Sequence, residues 1–232
     1  MGALQMDVEP LRGSLGFVLD AAGPTGAIIT AAPSHDIFQV TVKGRAAHAG
    51  FVPEQGVNAI VAASRGIAGM KLGRIDEETT ANIGTIHGGA ANNVVPEEVT
   101  IIAEARSRNE EKLEEQVRHM RERFEAGAAE VGARVEFTGG RAYSGYRHET
   151  DSPVMRLAAE GLRRAGKEPA YRPTGGGSDA NIFNAHGIST VVLSCGYEDA
   201  HSVTEHVAFA DIRLNALWCL GLVEAAAVGL NI

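Results

Sequence analysis

The chain is short of cysteine, of aromatic residues and of positive charge. Its only cysteines among 232 residues are Cys195 and Cys219, neither in a CxxC pair. They cannot build a disulfide framework, and they fit a reducing compartment. Aromatic residues make up 5%, against 28 glycines, which favours small-residue packing and many turns. Lysine and arginine total 21 against 29 acidic residues, a net charge of −8. That balance excludes a nucleic-acid surface, which needs clustered positive charge. No apolar run approaches the ~18 residues of a membrane helix. The best stretch, residues 216–230, is interrupted by Glu224. Residues 1–7 have neither the basic start nor the apolar centre of a signal peptide. The expectation is a cytoplasmic protein that binds neither nucleic acid nor membrane.

Present instead is an ordinary globular composition, 44% hydrophobic and 22% charged, which rules out disorder for the whole chain. At about 150 residues per domain the length suggests roughly one and a half domains. Residues 15–20 and 27–31 read as strands across a Gly/Pro turn, either a hairpin or neighbours. A self-contained unit follows over residues 34–140. It consists of a strand at 37–43, an apolar helical period over 56–70, strands at 80–86 and 99–106, an amphipathic helix from Asn109 to Val131, and a strand at 133–137. The order β-α-β-β-α-β is the split βαβ pattern of a ferredoxin-like domain. Beyond it, Ser152-Pro153 opens a helix that Gly166 stops. A short strand at 170–172, a glycine-rich turn into a helix at 180–185, a buried-type strand at 188–193 and a helix over 211–228 complete the chain. Residues 1–33 and 141–232 therefore read as one α/β domain interrupted by the ferredoxin-like insert.

Several positions could carry chemistry. Asp20 ends an apolar strand, where α/β folds place ligands, although an Asp before a Gly/Pro turn also caps its own backbone. His48 lies among small residues in Ala47-His48-Ala49-Gly50. Gly175 to Asn181 is a glycine-rich entry to a helix, without the Gly-Lys-Ser/Thr of a P-loop. His201 follows a strand and could bind a metal, with Glu205 as a carboxylate that orients it. No HExxH occurs. Asn93 lies in a polar turn, and Arg106 ends a strand where its fork could hold a carboxylate.

Taken in order, these elements resemble the co-catalytic zinc metallopeptidases, the family of tripeptidase T, carboxypeptidase G, succinyl-diaminopimelate desuccinylase and the aminoacylases. Gly176-Gly177-Ser178-Asp179-Ala180-Asn181-Ile182-Phe183 and Gly196-Tyr197-Glu198 place the resemblance in the tripeptidase-T-like branch, from about Gly16 to Val228. The resemblance implies a partial zinc-peptidase α/β domain carrying a lid and dimerisation domain. It implies that Asp20 is a ligand of one zinc ion and His201 of the other. It makes His48 the lid histidine that polarises the scissile carbonyl across a homodimer. Asn93 and Arg106 would bind the substrate's carbonyl or terminal carboxylate, and Gly177, Ser178 and Asp179 would line the substrate pocket. The substrate implied is a short peptide.

The family site also uses a His-x-Asp pair and a Glu-Glu pair upstream of the position of Asp20. No His-x-Asp occurs here. The Glu-Glu pairs at 77–78, 97–98, 110–111 and 114–115 all lie within the insert, where solvated surface explains them. The chain thus reads as the C-terminal portion of such an enzyme, expected to be inactive alone. The alternatives are a non-catalytic dimerisation or ligand-binding module, or an amidohydrolase of N-acyl amino acids. Asn181 stands where several relatives carry an arginine.

Overall fold

The computed structural model describes residues 2–229. It divides into two compact units, Met1–Pro33 with Ser144–Ile232, and Ser34–Tyr143. The chain starts the first unit with helix α1 (Gly2–Gln5) and strands β1 (Gly16–Ala21), β2 (Ala27–Ile29) and β3 (Ala31–Ala32). It then builds the whole second unit: β4 (Ser34–Lys43), α2 (Ala59–Ala68), β5 (Gly73–Arg74), β6 (Thr79–Gly88), β7 (Glu98–Ser107), α3 (Glu110–Ala129) and β8 (Arg134–Tyr143). It returns with β9 (Tyr146–Arg147), α4 (Pro153–Arg164), β10 (Ala170–Arg172), α5 (Asp179–Ala185), β11 (Thr190–Ser194), β12 (Tyr197–Glu198), β13 (His206–Val207) and α6 (Phe209–Ala227).

The main sheet of the first unit runs β1-β11-β2-β10. The expected hairpin or side-by-side pairing of β1 and β2 is therefore corrected. β11 inserts between them, parallel to β1 and antiparallel to β2. All five residues of β11 are buried, and a strand that apolar belongs in the interior of a sheet, not at its edge. The core on one face gathers Ile28, Val154, Met155, Leu162, Leu193 and Trp218. Trp218 is fully buried and its indole N–H donates to the Ala158 carbonyl at 2.8 Å, so its polar atom is satisfied. Burial of each such side chain contributes about 1.5–3 kcal/mol. α4 begins at Pro153 with Ser152 as its N-cap residue, but the Ser152 side chain makes no capping bond.

The second unit is a five-stranded antiparallel sheet ordered β5-β6-β7-β4-β8. The connectivity of its long elements is β-α-β-β-α-β, with the first and third strands, β4 and β7, in the middle. Period-2 alternation turns Phe38, Val40, Val42, Ile101, Ala103 and Ala105 toward α2 and α3, where they pack with Leu113, Met120 and Phe124. Asn58 and Asn109 cap the two helices, each side chain accepting the backbone N–H three residues on at 3.1 Å. β8 runs to Tyr143, beyond the expected 133–137, because the strand continues through Gly139 and Gly140 at positive φ. No helix among the described residues is long and apolar enough to cross a membrane.

Candidate active site

In the first unit, β1 and β11 run parallel, so their C-terminal ends open on the same side. A cavity of about 590 Å3 forms there, lined by Asp20, Ala22, Gly177, Ser178, Tyr197 and His201, with Glu205 at its wall. Asp20 ends the apolar run of β1. Burial, then the charge of Asp179, raises its carboxyl above the ordinary value, while His201 pulls it down. The structure thus gathers Asp20, Gly177, Ser178 and His201 in one cavity, with Asp179 close enough to Asp20 to perturb it.

The Gly175–Asn181 segment folds by its own chemistry. Ser178 caps α5 by accepting the Ala180 N–H at 3.2 Å, and the Asn181 side chain accepts the Ser178 N–H at 3.0 Å. Asn181 is fully buried, and its amide donates to the carbonyls of Pro33 and Ser144 at 3.2 and 2.8 Å. Its polar atoms are committed to holding this turn.

The loop after β11 carries His201. Gly196, at φ 83°, makes the turn: a Cβ there would sit 2.6 Å from the Asp211 Cβ and 2.8 Å from the Thr25 hydroxyl. Asp199 and His201 also hold positive φ, at 54° and 64°. Glu205 sets this conformation by accepting the His201 backbone N–H at 2.8 Å. The expectation that Glu205 orients His201 changes in kind, since the carboxylate grips the backbone and leaves the imidazole free of it. Thr204 adds a bond to Asp199 at 3.1 Å.

Tyr197 entered the sequence reading only as part of a motif, with no role of its own. Its phenol donates to the Asp20 carbonyl at 3.4 Å, and burial, then the charge of Asp20, raises its pKa. The available signal was its place just past a buried strand and a left-handed glycine.

His48, Asn93 and Arg106 belong to the second unit. Residues 48 and 94 form an isolated bridge, and the Asn93 carbonyl accepts the Ala49 N–H at 2.9 Å, so His48 and Asn93 lie on paired segments. The exposed His48 ring stacks on Phe51, and its Nδ1 accepts the Gly50 N–H at 3.1 Å. In the neutral ring the proton then resides on Nε2, which becomes a donor. Arg106, on β7, is bound to Glu104, with Nη2 at 2.8 Å and Nε at 3.3 Å from Oε2.

For zinc, the donors facing the cavity are right in kind and short in number. Zinc sites take about three protein ligands in catalysis. Among the described residues no group of three or more His, Cys, Asp or Glu side chains could hold a metal. Asp20 and His201 are the two candidate donors.

Residues 36–132 match the family model described as a peptidase dimerisation domain. The protein YqjE of Bacillus subtilis, itself uncharacterised, is 41% identical over 227 residues, covering 98% of this chain and 61% of YqjE. The crystal structure of aminopeptidase PepT from Bacillus cereus superposes with a TM-score of 0.86 at 40% identity, covering 97% of this chain and 61% of that one. A tripeptidase from Staphylococcus aureus gives a TM-score of 0.88 at 38% identity, covering 95% and 59%. The chain thus spans about 60% of the length of these relatives.

Proposed function

The chain belongs to the M20 family of peptidases and amidohydrolases, and from that premise we propose that it carries part of the site of a zinc-dependent hydrolase acting on short peptides. The observation that carries this reading is the meeting of Asp20 and His201, far apart in sequence, in one cavity with Gly177 and Ser178. Zinc supplies Lewis-acid polarisation and an activated water when a complete site binds it. Asp20 and His201 would each donate to one ion. Two donors from this chain fall short of the two sites, so no catalytic step is assigned to the metal here.

The remaining roles belong to the chain itself. Gly177 and Ser178 would line the substrate pocket beside Asp20, while Asp179, which is not part of the cavity lining, acts on Asp20 through its charge. His48, with its donor on Nε2, would polarise the scissile carbonyl, a contribution of a few kcal/mol where charge develops. Asn93 would hold a substrate carbonyl. The second unit serves as lid and dimerisation domain. β5 pairs with only Thr80 and Ala81 of β6, which leaves residues 82–88 as an open strand edge. An open edge of this kind supports a homodimer built by pairing with a second copy.

Alone, the chain is expected to hydrolyse no peptide. The test is tripeptide cleavage by the purified protein with and without added zinc. Absence of cleavage fits the reading. Zinc-dependent cleavage that disappears in His201→Ala would show that the chain completes its own site.

A further inference from the structure

Helix α6 is apolar on two opposite sides. Asn215, Trp218, Gly221, Leu222 and Ala225 are buried, and the helix packs along α4. At 3.6 residues per turn, Phe209, Ile212, Ala216, Leu220, Val223 and Ala227 form a second stripe about half a turn away from the first. All six are exposed, Phe209 by 81%, Leu220 by 54% and Val223 by 68%. A helix that is apolar all round belongs in the interior of a protein. A continuous apolar stripe left in water marks an interaction surface.

Strand β1 is open in the same unit. It ends the sheet order β1-β11-β2-β10 and pairs with β11 along one edge. β11 is buried throughout, whereas Phe17 and Val18 are half-buried and Leu19 is exposed, so the apolar run of β1 is incompletely covered. The two open features belong to one layered arrangement. α4 packs on β2 and β11, and Phe17 of β1 joins the cluster that holds Trp218 and Leu222. A strand beyond β1 in the sheet, with an apolar element beyond α6 in the helix layer, would bury both. Such a strand, run parallel to β1, would end beside Asp20 at the cavity.

We propose that the free edge of β1 and the outer stripe of α6 form one docking surface, and that its occupant is a strand-forming polypeptide equivalent to the N-terminal portion of YqjE. The match takes in 98% of this chain and 61% of YqjE, which leaves about two-fifths of YqjE in elements other than those described here. PepT superposes on 97% of this chain with a TM-score of 0.86, so its further elements also lie outside this set and need apolar surface to pack on. The outer stripe of α6 and the edge of β1 supply it, in a helix layer and a sheet that both stop on an apolar boundary. Burial and family membership carry this assignment, and it is independent of the zinc reading.

The test co-expresses the full chain with the N-terminal portion of YqjE and purifies the product in metal-free buffer. Val223→Cys in the chain is alkylated with a maleimide and read by mass spectrometry, which separates it from Cys195 and Cys219. A one-to-one complex is expected, in which Val223→Cys reacts about tenfold more slowly than in the chain alone. Leu220→Glu is expected to weaken the complex by about tenfold, the loss of one well-buried contact. Leu220 is exposed, so the chain's own urea midpoint stays in place. Absence of a complex overturns the proposal, and so does a complex in which Val223→Cys stays fully reactive or Leu220→Glu binds as well as wild type. Protection in the chain alone that Leu220→Glu abolishes puts a second copy on this face and also overturns it. If the YqjE portion is recovered only as aggregate, the same portion joined ahead of Met1 in one polypeptide decides by the same alkylation, protection supporting the proposal and full reactivity overturning it. A complex that forms but takes up no added zinc sinks the zinc reading and leaves the docking surface standing.

Discussion

The backbone amide of His201 donates to the carboxylate of Glu205 at 2.8 Å, and this bond closes a loop in which His201 holds a φ of 64°. A non-glycine residue in the left-handed region costs about 1 kcal/mol or more, so the loop persists only while its caps do. Glu205→Ala should speed exchange of the His201 amide by an order of magnitude or more while lowering global stability by about 1 kcal/mol. Hydrogen exchange and urea unfolding of the same variant check both parts.

The packing of α6 on α4 depends on two glycines. A Cβ at Gly221 would collide with the Gly161 carbonyl, and a Cβ at Gly161 would meet the Leu222 N at 2.8 Å. In an open helix Gly→Ala stabilises by about 0.5–1 kcal/mol. Gly221→Ala should instead destabilise by about 1–3 kcal/mol through overpacking, and the sign of the shift in the urea midpoint distinguishes the two.

The turn before β6 makes stability depend on pH. Asp76 accepts the Glu78 and Thr79 amides, each at 2.8 Å, and pairs with Lys112 at 3.1 Å. The Glu78 amide bond leads these effects in holding the carboxyl at about 2, below its ordinary 3.8. A depressed pKa in the folded state means stabilisation that is present above the ordinary value and is lost as pH falls through about 2. Wild type should exceed Asp76→Asn in stability at pH 5, and the gap should close toward pH 2. Urea titrations across that range measure it.

The open edge of β6 makes a prediction about assembly. Ile86 lies in that stretch and is 47% exposed. Ile86→Lys places a charge where a second strand would pair. Wild type should sediment as a dimer at micromolar concentration and the variant as a monomer.

Much of the second unit was legible in the sequence because its signals are local. Asn109 as a cap, with Leu113, Met120 and Phe124 on one face of the helix, specifies α3 within a single stretch. The β1/β2 relationship was not legible, since the strand that separates them, β11, lies far along the chain and declares only that it is buried. β9, β12 and β13 are two residues long and have no period to detect. For the site, the order of Asp20, the Gly175–Asn181 turn and His201 pointed to one cavity. Arg106 looked like a free fork because sequence spacing puts Glu104 on the same face of the strand without saying that its carboxylate binds the guanidinium. The contact of Tyr197 with the Asp20 carbonyl was not legible, because it depends on a loop whose shape is set by the contacts of Gly196.

On the proposed reading, Asp20 and His201 each give one donor to a paired zinc site that needs more donors than these two. Zinc content after exhaustive dialysis against metal-free buffer is the decisive measurement. The wild type should retain well under one equivalent of zinc. One or two equivalents retained by the wild type, and lost in both Asp20→Asn and His201→Ala, would contradict it.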